Sequence, residues 1–405
     1  MSATLAALPA ARAADAARYA IAGVAPGVAL EPASAEEAAA VVRECSQRGL
    51  ALVPWGGGVA LAHELAAPPR YDVALDLKHL HRITVFEPDD FTVTAQCGIT
   101  VAALREALAA RGQELPLEAA GAATATLGGV LAANASGARR LRFGSPRDRL
   151  LGARFVTGDG VLARTGGRVV KNVAGHAVHR LLVGSRGGLG VLLEASLKLL
   201  PEPPARALLV YGADAAALAD ASRWHEFARR EPAALSVLAA SRTVDPALAT
   251  DAPFTVAIGW EGDPRWVEAC VAWTRERLGA PAELRRDAQV PRLWQALADA
   301  SEAPGARLTL ASAHHSPAAI AELGHGDAFV FHAPSGRLEI WPEPGEAPAR
   351  ARAFAARGFA PTEARGLEDL PPAPPASVLA LRARLADALD PEGALALGLR
   401  WRTGR

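Results

Sequence analysis

The chain has 405 residues, half of them apolar, which is enough for a sizeable core and for two domains. Its 43 basic and 43 acidic side chains cancel, so its charge gives no reason to expect binding to nucleic acid or to an anionic membrane surface. The three cysteines, Cys45, Cys97 and Cys270, are too widely spaced to predict a disulfide framework, an iron–sulfur cluster or a zinc site.

The chain begins with an alanine-rich stretch that we do not interpret as a targeting segment. Arg12, Asp15 and Arg18 interrupt it, and no basic region precedes an apolar one. No apolar run elsewhere approaches the ~20 residues that a membrane-spanning helix needs. We therefore expect a cytoplasmic protein with no membrane span of its own.

Capping signals and periodicity predict alternating helices and strands through the first two hundred residues. Ser34 begins a capping box with Glu37, so a helix is expected from there to about Gln47. Thr100 is expected to cap a second helix that runs through Ala110. The other predictions are a hairpin turn at 157–160 and strands at 50–53, 73–77, 83–86, 92–96 and 191–199.

Four stretches of small residues follow one another in this first half. Glycines lack a Cβ atom, so such stretches let the backbone approach a flat or anionic ligand closely. Successive exposed amides also form a concavity that suits a diphosphate. The stretches are Pro54–Gly58, Thr126–Gly137, Lys171–Gly175 and Gly184–Val191. Together they indicate a large dinucleotide, which we interpret as FAD.

A nicotinamide-binding βαβ unit is the main alternative for the first stretch, because Asp76 stands near the distance expected for a ribose-binding acid. Two observations oppose it. The third glycine of a GxGxxG pattern would fall at Leu61, and Pro68 and Pro69 interrupt the helix that would have to follow. A strand–loop–strand arrangement fits the pattern better.

The prolines at 201–204 indicate a boundary, after which strands and helices alternate again. We predict an FAD-binding domain over residues 1–205, a second α+β domain over 206–370, and a C-terminal helix and tail, 371–405, that return to the first domain. In the second domain strands are predicted at 254–260, 307–310, 327–332 and 337–341, and helices at 265–278 and around 293–300. The final helix is predicted at 378–389, after a proline-rich linker at 371–375.

Residues from about 34 to 201 resemble the FAD-binding domain of the vanillyl-alcohol-oxidase, or PCMH-type, flavoproteins. Within that group the chain is most similar to the FAD-binding, non-iron–sulfur (E-type) subunits of glycolate oxidases. The motifs that carry the resemblance are Val53–Gly58, Asp76–Ile83, Thr124–Gly129, Ala133–Gly137, Arg142–Gly144 with Arg147 and Asp148, Val169–Gly175 and, near the end, Asp390–Gly393.

The resemblance implies an α+β fold in which two α/β subdomains hold FAD non-covalently and an α+β cap domain covers the flavin ring. It also implies an FAD-dependent oxidoreductase that takes electrons from a small 2-hydroxy acid such as glycolate. The implied partners are a larger flavoprotein subunit and an iron–sulfur subunit, through which electrons would pass to a quinone-type acceptor. Through those subunits the chain would also lie at the periphery of the inner membrane.

The predicted cofactor-binding residues lie in these motifs and in a segment just before the second one. They are Pro54, Trp55, Gly56, Gly57, Gly58, Val59, Ala60, Pro116, Glu118, Thr124, Thr126, Gly128, Gly129, Ala133, Asn134, Ser136, Gly137, Arg142, Gly144, Gly190 and Val191.

Departures from the family pattern bear on catalysis. Arg186 and Gly188 stand where the family has Glu and Thr, and Arg186 reverses the charge near the adenine end. Relatives that catalyse alone carry a metal-binding histidine cluster and a Glu-His-Gly segment, and the histidines between 314 and 332 lack that spacing. We therefore predict no metal site and assign no catalytic residue.

Three functions stay open at this level. The favoured one is an FAD-binding subunit that needs its partners for turnover. The second is a self-sufficient FAD-dependent dehydrogenase for D-lactate or a related acid. It predicts that the substrate bleaches the flavin of the isolated chain. The third is a non-catalytic assembly subunit that keeps the flavin fold, and its complex would stay active after Gly57→Asp, a change expected to fill the phosphate cradle.

Overall fold

The computed structural model describes residues 12–61, 68, 70–168, 176–239, 245–300, 307–312, 320, 328–332, 337–341, 346–355, 359–365 and 376–398. The strands in these residues are β1 Arg12–Ala14, β2 Val28–Glu31, β3 Leu52–Trp55, β4 Val73–Asp76, β5 Ile83–Glu87, β6 Thr92–Gln96, β7 Gln113–Glu114, β8 Leu150–Val156, β9 Leu162–Gly166, β10 Val191–Lys198, β11 Leu200–Pro201, β12 Ala205–Ala213, β13 Ala234–Ala239, β14 Phe254–Gly262, β15 Glu283–Arg286, β16 Arg307–Ser312, β17 Ala328–His332, β18 Arg337–Trp341 and β19 Phe359–Arg365.

Helices connect these strands and cover their faces. They are α1 Ala35–Gln47, α2 Val101–Ala109, α3 Leu127–Ala133, α4 Arg140–Phe143, α5 Pro146–Arg149, α6 His179–Leu182, α7 Ala215–Ala219, α8 Ala221–Arg229, α9 Pro264–Leu278, α10 Val290–Ala300, α11 Ala347–Ala355 and α12 Ala376–Leu389. No helix in the described residues is both long enough and apolar enough to cross a membrane.

Two sheets organise the first two hundred residues. The first has the strand order β1-β2-β4-β3, in which β2, β4 and β3 are parallel. The second is antiparallel, in the order β5-β6-β10-β8-β9. β7 and β11 form a separate two-stranded antiparallel sheet. Residues 56–61, 68 and 70–72 are the described part of the connection between β3 and β4, and they form no helix.

The predicted helix starts and the hairpin are confirmed. Ser34 caps α1 by accepting a hydrogen bond from the Glu37 amide at 3.1 Å. The Glu37 carboxylate accepts from Ala33, one residue before the expected partner, at 2.8 Å. Thr100 caps α2 through the Ala103 amide, and the turn at 157–160 joins the antiparallel β8 and β9.

An eight-stranded antiparallel sheet lies entirely within residues 205–365, in the order β15-β12-β14-β13-β17-β18-β16-β19. Apolar side chains of α8, α9 and α11 pack on one face of it. On the other face lie α10 and Ala138, a residue of the first half. The sheet therefore lies over the first half of the chain, while the predicted domain limits stay a prediction.

The C-terminal segment packs against the first sheet. Asp390, which is buried, accepts hydrogen bonds from the amides of Ala394 at 2.8 Å and Leu395 at 3.2 Å. The Leu52 amide of β3 donates to the Ala394 carbonyl at 2.7 Å. The chain end therefore lies beside the strand that leads into the glycine-rich turn. The predicted linker at 371–375 lies outside the described residues.

Candidate cofactor site

A cleft with an empty volume of about 960 Å³ opens beside the turn that follows β3. We call it the cofactor cleft, and we call residues 56–60 the glycine loop. The lining residues come from segments far apart in the chain. They are Pro54, Gly56, Gly57, Gly58, Val59, Ala60, Leu61, Ala119, Ala120, Ala125, Thr126, Gly129, Val130, Ala132, Ala133, Ala135, Arg186, Arg337 and Leu397.

Two glycines of the loop are required because the loop lies directly against the segment before α3. A Cβ atom on Gly57 would lie 1.8 Å from the Thr124 carbonyl oxygen, and one on Gly56 would lie 2.1 Å from Thr126 Oγ1. These distances are far below van der Waals contact. The small residues therefore serve packing of the loop against 124–126, which differs from the sequence-based idea that they serve ligand approach alone.

The loop presents free backbone donors to the cleft. The amides of the five successive residues from Gly56 to Ala60 donate no hydrogen bond to any residue that the structure describes. Gly58 adopts a positive φ of 73°, a conformation that helps to turn consecutive amides towards one point. The loop is half-buried and Gly57 is exposed, so a diphosphate can reach these amides, and its oxygens can accept hydrogen bonds from them. The loop therefore fits the diphosphate of a dinucleotide.

Helix α3 forms the floor of the cleft beside the loop. Thr126 caps it by accepting from the Gly129 amide at 3.2 Å, and Gly128 packs closely on Cys97. The helix ends at Asn134, whose φ of 52° is left-handed. The buried Oδ1 atom of Asn134 has no hydrogen-bond partner in the described part of the chain, and its neighbours Ala133 and Ala135 line the cleft. A donor on a bound ligand would satisfy it.

The predicted site residues divide into those that line the cleft and those that lie elsewhere. Lining residues are Pro54, Gly56, Gly57, Gly58, Val59, Ala60, Thr126, Gly129 and Ala133. The others are outside the lining: Trp55, Pro116, Glu118, Thr124, Gly128, Asn134, Ser136, Gly137, Arg142, Gly144, Gly190 and Val191. The motif Lys171–Gly175 lies outside the described residues.

Several of the predicted residues outside the lining make packing contacts or hydrogen bonds near the cleft. Trp55 packs edge-on against Tyr19 beneath the loop, with ring centroids 5.3 Å apart. Val191 is fully buried between sheet and helix, and a Cβ on Gly190 would meet Phe155 at 3.1 Å. Arg142 donates to the Glu261 carbonyl at 2.7 Å and lies over the ring of Trp266.

Glu118 belongs to a buried ion network that joins the first half to the eight-stranded sheet. We call it the Arg139 network. Arg139 Nε is 2.5 Å from Glu118, and Arg139 Nη1 is 3.0 Å from both Glu114 and Glu261. Burial disfavours the charged guanidinium, but the three carboxylates outweigh that effect and raise the pKa of Arg139. Arg206 contacts Glu114 and Glu261 as well.

Arg337 is the residue that the eight-stranded sheet contributes to the described lining. Its Nε and Nη2 atoms donate to one oxygen of Glu339 at 3.0 and 2.6 Å, and the Glu339 side chain is completely buried. Burial and the charge of Arg337 both lower the pKa of Arg140, so the two guanidinium groups share one region. Sequence reasoning missed Arg337 and Leu397, because nothing local ties either to the glycine loop.

His332 lies opposite Arg337 on the neighbouring strand and should make stability depend on pH. Burial lowers its pKa from 6.5 to about 4, Glu339 opposes this shift and Arg337 adds to it. As the pH falls, His332 therefore takes up a proton in the unfolded chain before it does so in the folded protein. The free energy of unfolding should decrease as the pH falls from ~6.5 to about 4. Denaturant unfolding at pH 7 and 5 measures the loss. His332→Gln should show a shallower pH dependence, and an unchanged one would contradict the assignment.

Residues 26–166 match the family model described as FAD binding domain. The cofactor of this chain is FAD. Among the described residues, no group of three His, Cys, Asp or Glu side chains is placed to hold a metal ion.

Curated proteins with similar sequences match less than half of the chain. Glycolate oxidase subunit GlcE of Escherichia coli is 44% identical over 132 residues, 32% of this chain and 38% of that protein. A D-2-hydroxyglutarate dehydrogenase of Xanthomonas citri pv. viticola is 35% identical over 180 residues, 44% of this chain and 38% of that protein. Glycolate oxidase subunit GlcD of Bacillus subtilis is 32% identical over 185 residues, which are 46% of this chain and 39% of that protein. The chain thus spans about two fifths of the length of these relatives.

Solved structures match nearly the whole chain. A p-cresol methylhydroxylase with substrate bound gives a TM-score of 0.67 at 16% identity, over 92% of this chain and 89% of that one. A 6-hydroxy-D-nicotine oxidase from Arthrobacter nicotinovorans gives 0.66 at 17% identity, over 98% of both chains. The chain therefore has the PCMH-type α+β fold.

Proposed function

We propose that this chain is the FAD-binding subunit of a glycolate oxidase-like complex, in which it oxidises a small 2-hydroxy acid and passes the electrons to partner subunits. The observation that carries the proposal is the position of Arg337, which lines the cofactor cleft from the side opposite the FAD-binding domain. A 2-hydroxy acid presents a carboxylate next to the carbon that is oxidised. The planar fork of arginine matches a carboxylate better than any other side chain.

The described residues divide the work of such a site. Amides of the glycine loop bind the diphosphate, and the apolar walls formed by residues such as Val130 and Leu397 exclude water from the rest of the cleft. Bound FAD supplies the acceptor for the hydride that leaves the α-carbon of the acid. Arg337 orients the acid, and the buried Glu339 carboxylate holds the Arg337 side chain in one position.

Similarity to two named glycolate oxidase subunits supports a role in a multi-subunit enzyme. The partners would be a larger flavoprotein subunit and an iron–sulfur subunit that passes electrons to a quinone-type acceptor. In this arrangement the chain is cytoplasmic and reaches the inner membrane through its partners. A second candidate, a self-sufficient 2-hydroxy-acid dehydrogenase, is supported by similarity to a D-2-hydroxyglutarate dehydrogenase over 180 residues and to a D-lactate dehydrogenase over 175 residues.

Anaerobic titration of the flavin separates these functions. The chain is purified alone and together with the subunits that co-purify with it, and flavin absorbance is followed on adding glycolate or D-lactate. Bleaching in the assembled enzyme but not in the isolated chain is the result expected for the proposed function. Bleaching in the isolated chain supports the second candidate. No bleaching in either sample, with FAD bound, contradicts both and leaves the assembly role.

Arg337→Met should raise KM for the acid and lower kcat/KM by ~100-fold, because a charge-assisted bidentate contact is lost. The substitution also leaves Glu339 buried without its cation, which destabilises the protein. The double variant Arg337→Met/Glu339→Gln is the matched control, since it should recover stability without recovering activity. Steady-state kinetics and thermal unfolding of both variants test this. An unchanged KM in Arg337→Met would remove Arg337 from the substrate site.

A further inference from the structure

A tight turn at residues 184–188 lies against Pro54, two residues before the glycine loop. A Cβ on Gly187 would be 3.0 Å from the Pro54 side chain, so the turn and the end of β3 are in contact. The Arg186 amide donates to the Ala132 carbonyl at 2.9 Å and the Gly184 amide to the Leu131 carbonyl at 3.1 Å. Both acceptors belong to α3, so the turn is fixed to the helix that forms the floor of the cofactor cleft.

Arg186 occupies a backbone conformation that arginine rarely adopts. Its φ is +54°, in the left-handed region, although glycine is the usual residue there. The glycines on both sides of the turn already supply positive φ values of 82° and 80°. Strained backbone at a ligand-lining position indicates that the side chain serves a purpose there. The side chain of Arg186 is half-buried and lines the cofactor cleft.

The charge balance of the cleft indicates what this purpose is. In the described part of the lining, the ionisable side chains are Arg186 and Arg337. The FAD diphosphate is an anion, and the glycine loop offers it dipoles but no net charge. Arg337 extends from the eight-stranded sheet, where Glu339 holds its side chain. Arg186 precedes Gly187, whose backbone lies against the Pro54 side chain two residues before the glycine loop.

We infer that Arg186 is a cofactor-binding residue that neutralises the diphosphate of FAD beside the glycine loop. This role depends on FAD binding and is independent of the substrate proposed above. It also gives a function to the charge reversal at Arg186 that distinguishes this chain from the family pattern.

Binding of FAD to the apoprotein tests the inference without measuring turnover. FAD is removed from the full-length chain, and quenching of flavin fluorescence gives the Kd at several salt concentrations. Arg186→Gly should raise the Kd for FAD by at least about tenfold and flatten its salt dependence, because a charged contact is lost. Arg186→Lys should retain most of the salt dependence. Arg164→Ala, at an exposed arginine of β9, is the matched control and should leave the Kd unchanged.

Thermal unfolding of the apoprotein separates this role from a structural one. Glycine relieves the backbone strain at position 186, so apo Arg186→Gly should be at least as stable as the unmodified apoprotein while binding FAD less tightly. A Kd within twofold of the unmodified protein would overturn the inference. A raised Kd with unchanged salt dependence would also overturn it, because the loss would then come from altered turn geometry. The lysine variant, which keeps the charge, decides the case if the glycine variant fails to fold.

Discussion

Replacing Arg139 with methionine should lower the free energy of unfolding by about 3–5 kcal/mol, because the substitution leaves buried carboxylates without their central cation. The Glu118 and Glu261 side chains are 2% and 1% exposed, and both contact this guanidinium. Arg206 reaches Glu261 at 3.5 Å and compensates part of the loss. Denaturant unfolding at pH 7 measures the difference.

A surface ion pair provides the matched control. Arg154 contacts Glu36 at 2.7 Å, but the two side chains are 37% and 69% exposed. Water screens such pairs, so Arg154→Met should cost less than about 1 kcal/mol. If the two variants lose the same stability, the Arg139 network contributes no more than an exposed pair.

The Arg139 network also shows where sequence reasoning ended. The position of Glu118 before the second glycine motif predicts a cofactor contact, which stays a prediction, but it gives no sign of the ion pair with Arg139. The partner Glu261 is 122 residues from Arg139 in sequence, and no local pattern connects them. Pairing of this kind depends on how the eight-stranded sheet lies over the first half, which periodicity does not specify.

Local signals predicted the first half of the fold well. Capping by Ser34 and Thr100 involves atoms three residues apart, so the residue types alone indicate it. Strands β12 and β13 were missed because their residues are buried almost without interruption. Such strands lack the polar–apolar alternation that marks a half-exposed strand. β10 did show alternation in sequence, yet Leu192 and Ser196 are buried too, since its other face is covered as well.

Only part of the cofactor cleft can be predicted from the sequence, because only some of its lining residues stand in continuous motifs. The glycine loop and α3 are continuous stretches of small residues, so their composition indicated a ligand. Arg337 and Leu397 enter the lining from β18 and from the C-terminal segment. Their positions depend on the sheet and on the hydrogen bonds of Asp390, and neither residue stands in a motif of its own.

Gly57→Ala should weaken FAD binding by more than about 100-fold, because its Cβ cannot be accommodated without moving the loop. That atom would lie 1.8 Å from the carbonyl oxygen of Thr124 and 2.5 Å from its carbonyl carbon. Backbone atoms cannot turn aside as a flexible side chain can, so the loop must shift and its amides no longer point to one place. Fluorescence titration of the apoprotein with FAD measures the loss.

Gly112→Ala is the matched control for Gly57→Ala. Gly112 has a φ of +63°, and a Cβ there meets nothing within 4 Å, so the substitution adds backbone strain of about 1 kcal/mol without a collision. FAD affinity should be unchanged in this control. Equal FAD affinity in both variants would show that the collision at Gly57 is relieved without disturbing the amides.

The collision at Gly57 also changes how the assembly role must be tested. Gly57→Asp was expected to fill the phosphate cradle, but the Cβ of any residue at 57 meets the Thr124 carbonyl before its side chain reaches the cleft. The alanine variant is therefore the smaller and clearer perturbation. If Gly57→Ala chains still assemble with their partners but lack FAD, and the complex loses 2-hydroxy-acid oxidation, the flavin of this chain lies on the electron path. If activity persists without that FAD, the chain serves assembly and the proposed function is wrong.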